Sequence, residues 1–207
     1  MGRSRRRRGN DGATVQAHQI RIIGGEHRGR KLSVPMLTGL RPTGDRVRET
    51  LFNWLQPILP GAHCLDLFAG SGALGLEAAS RGAGRVVMLD SAPMAVRQIE
   101  ESAARLEMRQ VAVYCVDAMQ WLNGSVQRFD IVFLDPPFAD DLLEESCRLL
   151  QQRGWLQPNA RAYVEMAAGK ALPQLPFNWV QLRGKKAGQV CYYLFSCGCG
   201  DPEESAW

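Results

Sequence analysis

The feature that most constrains this chain is a glycine loop set at the end of an apolar run. Residues Asp66-Leu-Phe-Ala-Gly70-Ser-Gly72-Ala-Leu-Gly75 close a candidate strand and open a candidate helix. Gly70, Gly72 and Gly75 match G-x-G-x-x-G. That spacing permits a tight turn, close approach of a ligand to the backbone and helix N-terminus, and close helix–strand packing. It belongs to a doubly wound α/β sheet. The rest of the chain agrees: apolar strands are predicted at 63–68, 85–90, 111–116, 129–134 and 161–165, with helices at 73–81, 93–107 and 141–152 between them. Continuous apolar strands joined by helical crossovers indicate a mostly parallel sheet covered on both faces. The end departs from this pattern. Segments 179–183 and 189–195 flank Gly184-Lys-Lys-Ala-Gly188 and read as an antiparallel hairpin with Lys185 and Lys186 at its tip.

Ahead of the sheet, Ile20 to Pro35 reads as a small β-hairpin, with Arg21, Arg28, Arg30 and Lys31 on it. An amphipathic helix follows over 45–58, with Val47, Leu51, Trp54, Leu55 and Ile58 on one stripe. Thr43 or Asp45 is the expected cap, and Arg46 and Arg48 fall in the first turn, where cations oppose the helix dipole. The expected division is a disordered basic tail over 1–18, a hairpin and loop extension over 19–44, a catalytic domain over 45–196 and a flexible tail over 197–207. The chain carries +4 overall, but residues 1–50 hold +8 and residues 51–207 hold −4. A basic front on a mildly acidic body points to a polyanionic partner.

No stretch approaches the roughly 20 apolar residues that span a bilayer, and the arginines at 3 and 5–8 are followed by no apolar h-region. A cytoplasmic protein without a membrane segment is expected. Six cysteines form no C-x-x-C pair, and no His cluster accompanies them, so no metal is expected. Cys64, Cys115 and Cys191 read as small buried thiols within strands; Cys197 falls in the C-terminal tail.

The strand ends carry the chemistry. Asp66, Asp90, Asp117 and Asp135 each close one of four consecutive strand candidates. Ligands of open α/β sheets bind beyond these ends. Asp90 stands about twenty residues past the glycine loop, where an acid binds a ribose hydroxyl, so the loop alone leaves a nicotinamide cofactor open. Asp66 argues against it: a carboxylate at the mouth of the first strand repels a pyrophosphate and favours the cationic sulfonium and amino group of S-adenosylmethionine (SAM). Asp117 has a second reading, as the cap of a helix over 118–122. The glycine loop, for its part, could be a strand–helix turn that binds nothing.

The fourth strand runs straight into Asp135-Pro136-Pro137-Phe138. Two prolines stop the strand and fix the turn. An exocyclic amine on a base is a poor nucleophile, because its lone pair is delocalised into the ring. Asp135 and a carbonyl beside Pro136 can accept its two hydrogens and expose the lone pair, and Phe138 can stack on the base, worth about 1–3 kcal/mol. A bare strand-ending turn is the alternative. Cytosine-C5 chemistry needs a Pro-Cys nucleophile, and no Pro precedes Cys here.

Asp66, the glycine loop, Asp90 and Asp117 resemble the class I SAM-dependent methyltransferases, and Asp135-Pro-Pro-Phe138 resembles the [D/N]-P-P-[F/Y/W] motif of amino-methyltransferases. The match sharpens at Ile20-Arg-Ile-Ile-Gly-Gly25, Arg28-Gly-Arg-Lys-Leu32, Leu40-Arg-Pro-Thr43, Asp45-Arg-Val-Arg-Glu-Thr-Leu-Phe-Asn-Trp54, Asp66 to Glu77, Val132 to Phe138 and Ala187-Gly-Gln-Val190. These resemble the bacterial small-subunit rRNA guanine-N2 methyltransferase D family over about residues 19–195. Slight departures are Gly44, where Thr is expected, and the arginine run and C-terminal tail.

The resemblance implies a Rossmann-like fold with a seven-stranded, mostly parallel sheet ending in an antiparallel hairpin, plus the small N-terminal hairpin. It implies SAM held by Asp66, Phe68, Gly70, Gly72, Gly75, Asp90, Asp117 and Ala118. It implies catalysis by Asp135, Pro136, Pro137 and Phe138, on guanine 966 of 16S rRNA in an assembled or nearly assembled small subunit. Arg21, Arg28, Arg30, Lys31, Arg41, Arg46 and Arg48 are the candidate RNA contacts, and a monomer is expected. Two other readings stay open at this point: an adenine-N6 methyltransferase, and a ribosome-assembly factor without activity.

Overall fold

The computed structural model describes residues 18–34, 44–137 and 142–198. A two-stranded antiparallel hairpin comes first, β1 (His18–Arg21) and β2 (Lys31–Val34), followed by α1 (Asp45–Leu55). The main unit then alternates β3 (His63–Asp66), α2 (Ala73–Ser80), β4 (Arg85–Asp90), α3 (Pro93–Arg105), β5 (Val111–Cys115), α4 (Ala118–Leu122), β6 (Phe129–Leu134), α5 (Leu142–Gln152) and β7 (Leu156–Ala167). It closes with β8 (Val180–Ala187) and β9 (Val190–Ser196).

The seven strands lie in the order β5-β4-β3-β6-β7-β9-β8. β3 through β7 run parallel, and β9 pairs antiparallel with both β7 and β8. This is the sheet expected from the alternation of apolar runs. Period-2 alternation then divides the core. Cys64, Met88, Ile131, Phe133 and Tyr163 pack on the face covered by α1, α2 and α3. Leu65, Leu89, Val132, Leu134 and Val164 pack on the face covered by α4 and α5. Local signals set several boundaries. Pro93 opens α3 from its first turn, and Gly82, at φ 97°, ends α2 in the left-handed region.

The N-terminal hairpin is clamped to α2 rather than appended loosely. Glu77, wholly buried, accepts the backbone N–H groups of Ile23 and Gly24, both at 2.8 Å. Ser80 accepts from Glu26 and His27 and donates its hydroxyl to the Gly24 carbonyl. Gly25, at φ 78°, lets the chain pass so close that an added Cβ would lie 1.8 Å from the Ser80 carbonyl oxygen.

Several expectations need correction. α1 ends at Leu55, and Ile58 is exposed. Its N-cap is Gly44, with no side-chain cap, and Asp45 is already helical. β7 is longer than predicted on both sides of 161–165. β8 runs through Gly184, Lys185 and Lys186, so the lysines pair with Tyr192 and Cys191 instead of forming a tip. Cys115 is exposed, because β5 is an edge strand. Cys197, read as tail, is buried and donates its N–H to Ala160. The arginine run, Thr43 and Arg41, Phe138, Asp141, Cys199 and the tail beyond it lie outside the described residues.

Candidate active site

The site is built at the C-terminal ends of the parallel strands. β3 ends at Asp66, and the chain turns through Leu67 to Gly72 into α2. Ala69 donates to the Leu89 carbonyl at 2.8 Å, and Gly70 and Gly72 hold φ 51° and 78°, conformations that a side chain would disfavour. Gly75 lies so near β4 that an added Cβ would meet Met88 at 2.6 Å. The third glycine therefore serves helix–sheet packing.

Asp66 is 2% exposed, and its Oδ2 accepts the Gly75 N–H at 2.9 Å. Burial pushes its carboxyl up to about 7, with a further push from the neighbouring Asp90 charge and opposition from the Gly75 and Phe68 N–H groups. Asp90 ties two loops together: Oδ2 accepts from Gly70 and Oδ1 from Ala92, each at 2.8 Å. Asp117 is exposed and caps α4, its Oδ1 accepting the Gln120 N–H at 2.9 Å, and Ala118 beside it is buried. The capping role is thus real. Both carboxylates keep further lone pairs for a ligand. Phe68 is half-buried at the loop's rim.

Three acids, a positive-φ glycine turn and a helix N-terminus suit a ligand that is cationic, carries a vicinal diol and bears one carboxylate. SAM fits that description. A dinucleotide pyrophosphate does not, given the buried Asp66.

β6 is hydrogen-bonded to β3, with Asp66 opposite Phe133, so Asp135 follows on the strand next to the glycine loop. Asp135 is half-buried, Pro136 buried and Pro137 exposed. Pro136 and Pro137 form part of the wall of a cavity of about 420 Å³ that extends towards α5 and the end of β7, beside the glycine loop rather than over it.

Two residues that the sequence analysis did not single out stand near this wall. The Tyr163 hydroxyl donates to Glu165 Oε2 at 2.6 Å, and Glu165 is 4% exposed. Burial first, then Glu165, Asp135 and Tyr192, raise the Tyr163 hydroxyl well above the ordinary tyrosine range. The signal available in sequence was an acid set inside the apolar run Tyr163-Val164-Glu165-Met166.

The basic candidates divide. Arg21, Arg28, Arg30 and Lys31 are exposed on the hairpin, and Arg46 is exposed on the first turn of α1. Arg48 is not a surface contact. Its side chain is wholly buried, donating to the Arg21 carbonyl at 2.9 Å and to Asp45 at 2.7 Å, with Nη1 3.5 Å from Glu77. It is a structural cation between α1, the hairpin and α2. Lys185 sits 5.9 Å from the Trp54 ring centroid, and Trp54 stacks on Tyr192.

Comparison with known proteins agrees with this architecture. The family described as Conserved hypothetical protein 95 matches residues 20–196. Ribosomal RNA small subunit methyltransferase D of Escherichia coli (strain K12) is 50% identical over 177 residues, 86% of this chain and 89% of that protein. The protein of the same name from Haemophilus influenzae is 45% identical over 181 residues, covering 86% of this chain and 93% of its own. Among solved structures, Escherichia coli yhhF, described as a methyltransferase, superposes with a TM-score of 0.83 at 46% identity, over 88% of this chain and all of that one. An RNA methyltransferase from Salinibacter ruber, solved with S-adenosyl-L-homocysteine, shares the fold at a TM-score of 0.60 and 16% identity, over 81% of this chain and 100% of that one. With half of its residues shared over most of both chains, this chain belongs to the ribosomal RNA small subunit methyltransferase D family.

Proposed function

We propose that this chain transfers the methyl group of SAM to the exocyclic N2 amine of one guanine in 16S rRNA, position 966 by family expectation, on an assembled or nearly assembled small subunit. Family membership supports SAM-dependent methylation of rRNA. The base and position are the finer part of the reading. The observation that carries it is the adjacency of β3 and β6, which puts the Asp135-Pro136-Pro137 turn beside the acidic glycine-loop site.

When bound, SAM supplies an electrophilic methyl group on a sulfonium centre. The chain's residues hold and orient. Asp66 would meet the ligand's cationic end with a buried carboxylate, Gly70 and Gly72 would open the backbone to it, Asp90 would accept from ribose hydroxyls, and Asp117 with Ala118 would border the adenine. Asp135 and the carbonyl beside Pro136 would accept the two N2 hydrogens and so free the amine lone pair for the methyl. With SAM held there, its sulfonium would give up the methyl to the amine nitrogen and leave as a neutral thioether, and Asp135 or water would take the one proton the amine sheds. Positioning and electrostatics of this kind account for much of the rate. A base in a helix must first be extruded. Arg21, Arg28, Arg30, Lys31 and Arg46 present exposed positive charge for the RNA backbone.

No helix among the described residues is long and apolar enough to cross a membrane. We take the enzyme to act as a cytoplasmic monomer.

Asp135→Ala tests the assignment. Methyl transfer to small subunits should fall by at least about 10³-fold, the upper range for removing one preorganised group, while SAM affinity by calorimetry stays within a few-fold. A large loss of SAM binding would move Asp135 into the cofactor site.

A further inference from the structure

Asp135 and Glu165 both act on the Tyr163 hydroxyl. Leu134 of β6 pairs with Val164 of β7, and Asp135 and Glu165 are the residues that follow in their chains. Neighbouring strands are about 4.8 Å apart. Glu165 lies on the face of Tyr163, whose ring meets that of Phe133 edge to face at 6.4 Å. Tyr192 is the partner of Glu165 on its other side.

Glu165 is an expensive residue to keep here. A carboxylate this buried loses most of its hydration, and an apolar residue of similar size would cost less. Its Oε2 accepts the Tyr163 hydroxyl hydrogen at 2.6 Å, which orients the carboxylate. Glu165 also shares with Pro136 and Pro137 the wall of the 420 Å³ cavity. Its volume falls within the range of about 300–1,000 Å³ usual for small-molecule sites.

The chemistry of the bases then selects the ligand. Guanine presents N1–H directly beside its N2 amine, three hydrogens on one edge. Adenine presents a bare N1 beside its N6 amine, and cytosine a bare N3 beside its N4 amine. A carboxylate adjacent to the amine-binding group attracts the first edge and repels the lone pairs of the other two. We infer that Glu165 is the specificity-determining residue of this site: it accepts guanine N1–H while Asp135 and the carbonyl beside Pro136 hold the N2 amine. The inference rests on the proposed methylation of guanine N2 and names the group that chooses the base.

The test uses the full chain and small subunits reconstituted with 16S rRNA carrying either guanine or 2-aminopurine at the target position. 2-Aminopurine keeps the amine but has a bare N1. Wild-type enzyme should prefer guanine by about 100-fold or more in kcat/KM, because a site built to accept a hydrogen rejects an analogue that lacks it. Glu165→Gln should lose about 100-fold on guanine. Its preference over 2-aminopurine should shrink to within about tenfold, since the amide can donate to a bare N1. SAM affinity should stay within a few-fold of wild type. Tyr163→Phe, which removes the orienting hydroxyl but keeps the carboxylate, should lower the preference by about tenfold and serves if Glu165→Gln does not fold. A wild-type enzyme that methylates both bases equally would overturn the inference, as would a folded Glu165→Gln that keeps the full preference. Failure of wild type to methylate guanine at all would instead overturn the reading of function beneath it.

Discussion

Asp66, in the proposed SAM site, is a buried acid whose protonation would couple ligand binding to pH. Its carboxyl is pushed up to about 7, chiefly by burial. The folded chain therefore holds a proton that an unfolded chain releases near pH 4. As pH rises from about 4 through 7, this group's contribution to stability falls. A cationic ligand reverses the preference, because it favours the ionised form. SAM affinity should therefore weaken as pH drops from 7 to 5.5, where binding must expel the Asp66 proton, and protons should be released on binding. Calorimetry in buffers of different ionisation enthalpy checks this. Asp66→Asn should bind SAM more weakly at pH 7 and lose this dependence. The strand-end acids were legible in sequence because apolar strands announce their ends. Arg48 was not: it was read as a charged surface residue, although it stands three, four and seven positions before Leu51, Phe52 and Leu55 on the buried stripe. Its partner Glu77 comes from a helix 29 residues on, and no local pattern reveals that pairing.

At the scale of elements, the hairpin and α2 act as one body. Glu77 joins the backbone of Ile23 and Gly24 to Arg48 and to Arg81, whose Nε donates to it at 2.7 Å. Removing one partner of a buried ionic network leaves the other charged and unpaired, at a cost of about 3–5 kcal/mol. Glu77→Ala should lower Tm by about 10 °C in a thermal melt, roughly 2–4 °C per kcal/mol for a chain of this size. It should also raise hydrogen exchange at Ile23 and Gly24 before it affects β3 or β6. Equal loss of protection throughout the sheet would show that the hairpin is not separately clamped. The strands and helices around the glycine loop were readable from periodicity, because their apolar residues are local and regular. The C-terminal strands were harder. Gly184 and Gly188 both read as turn residues, yet only Gly188 turns, at φ 58°, while Gly184 lies in β8 where a Cβ would press on Tyr193. β7 begins at Leu156, ahead of the predicted 161–165, and its register with β6 shifts between the Phe129–Leu156 and Ile131–Arg161 pairs, where Asn159 holds φ 64°. Nonlocal pairing overrides local propensity at Gly184, and in β7 it sets Val164 beside Leu134, one residue before Glu165 and Asp135.

For the whole molecule, charge divides along the chain. Residues 1–50 carry +8 and the remainder −4. A basic front engaging phosphates releases counterions, so binding to RNA weakens steeply with salt. Deleting residues 1–17, which hold five arginines, should weaken binding to small subunits at 50 mM salt and flatten the dependence of log K on log salt. An unchanged slope would show that those arginines make no phosphate contacts. Where the methyl ends up decides between guanine N2 and adenine N6. Small subunits lacking the modification should be incubated with the enzyme and labelled SAM, and the digested 16S rRNA examined by mass spectrometry. The account predicts N2-methylguanosine at a single position, absent with Asp135→Ala; N6-methyladenosine as the labelled product, or no transfer to any form of the subunit, would contradict it.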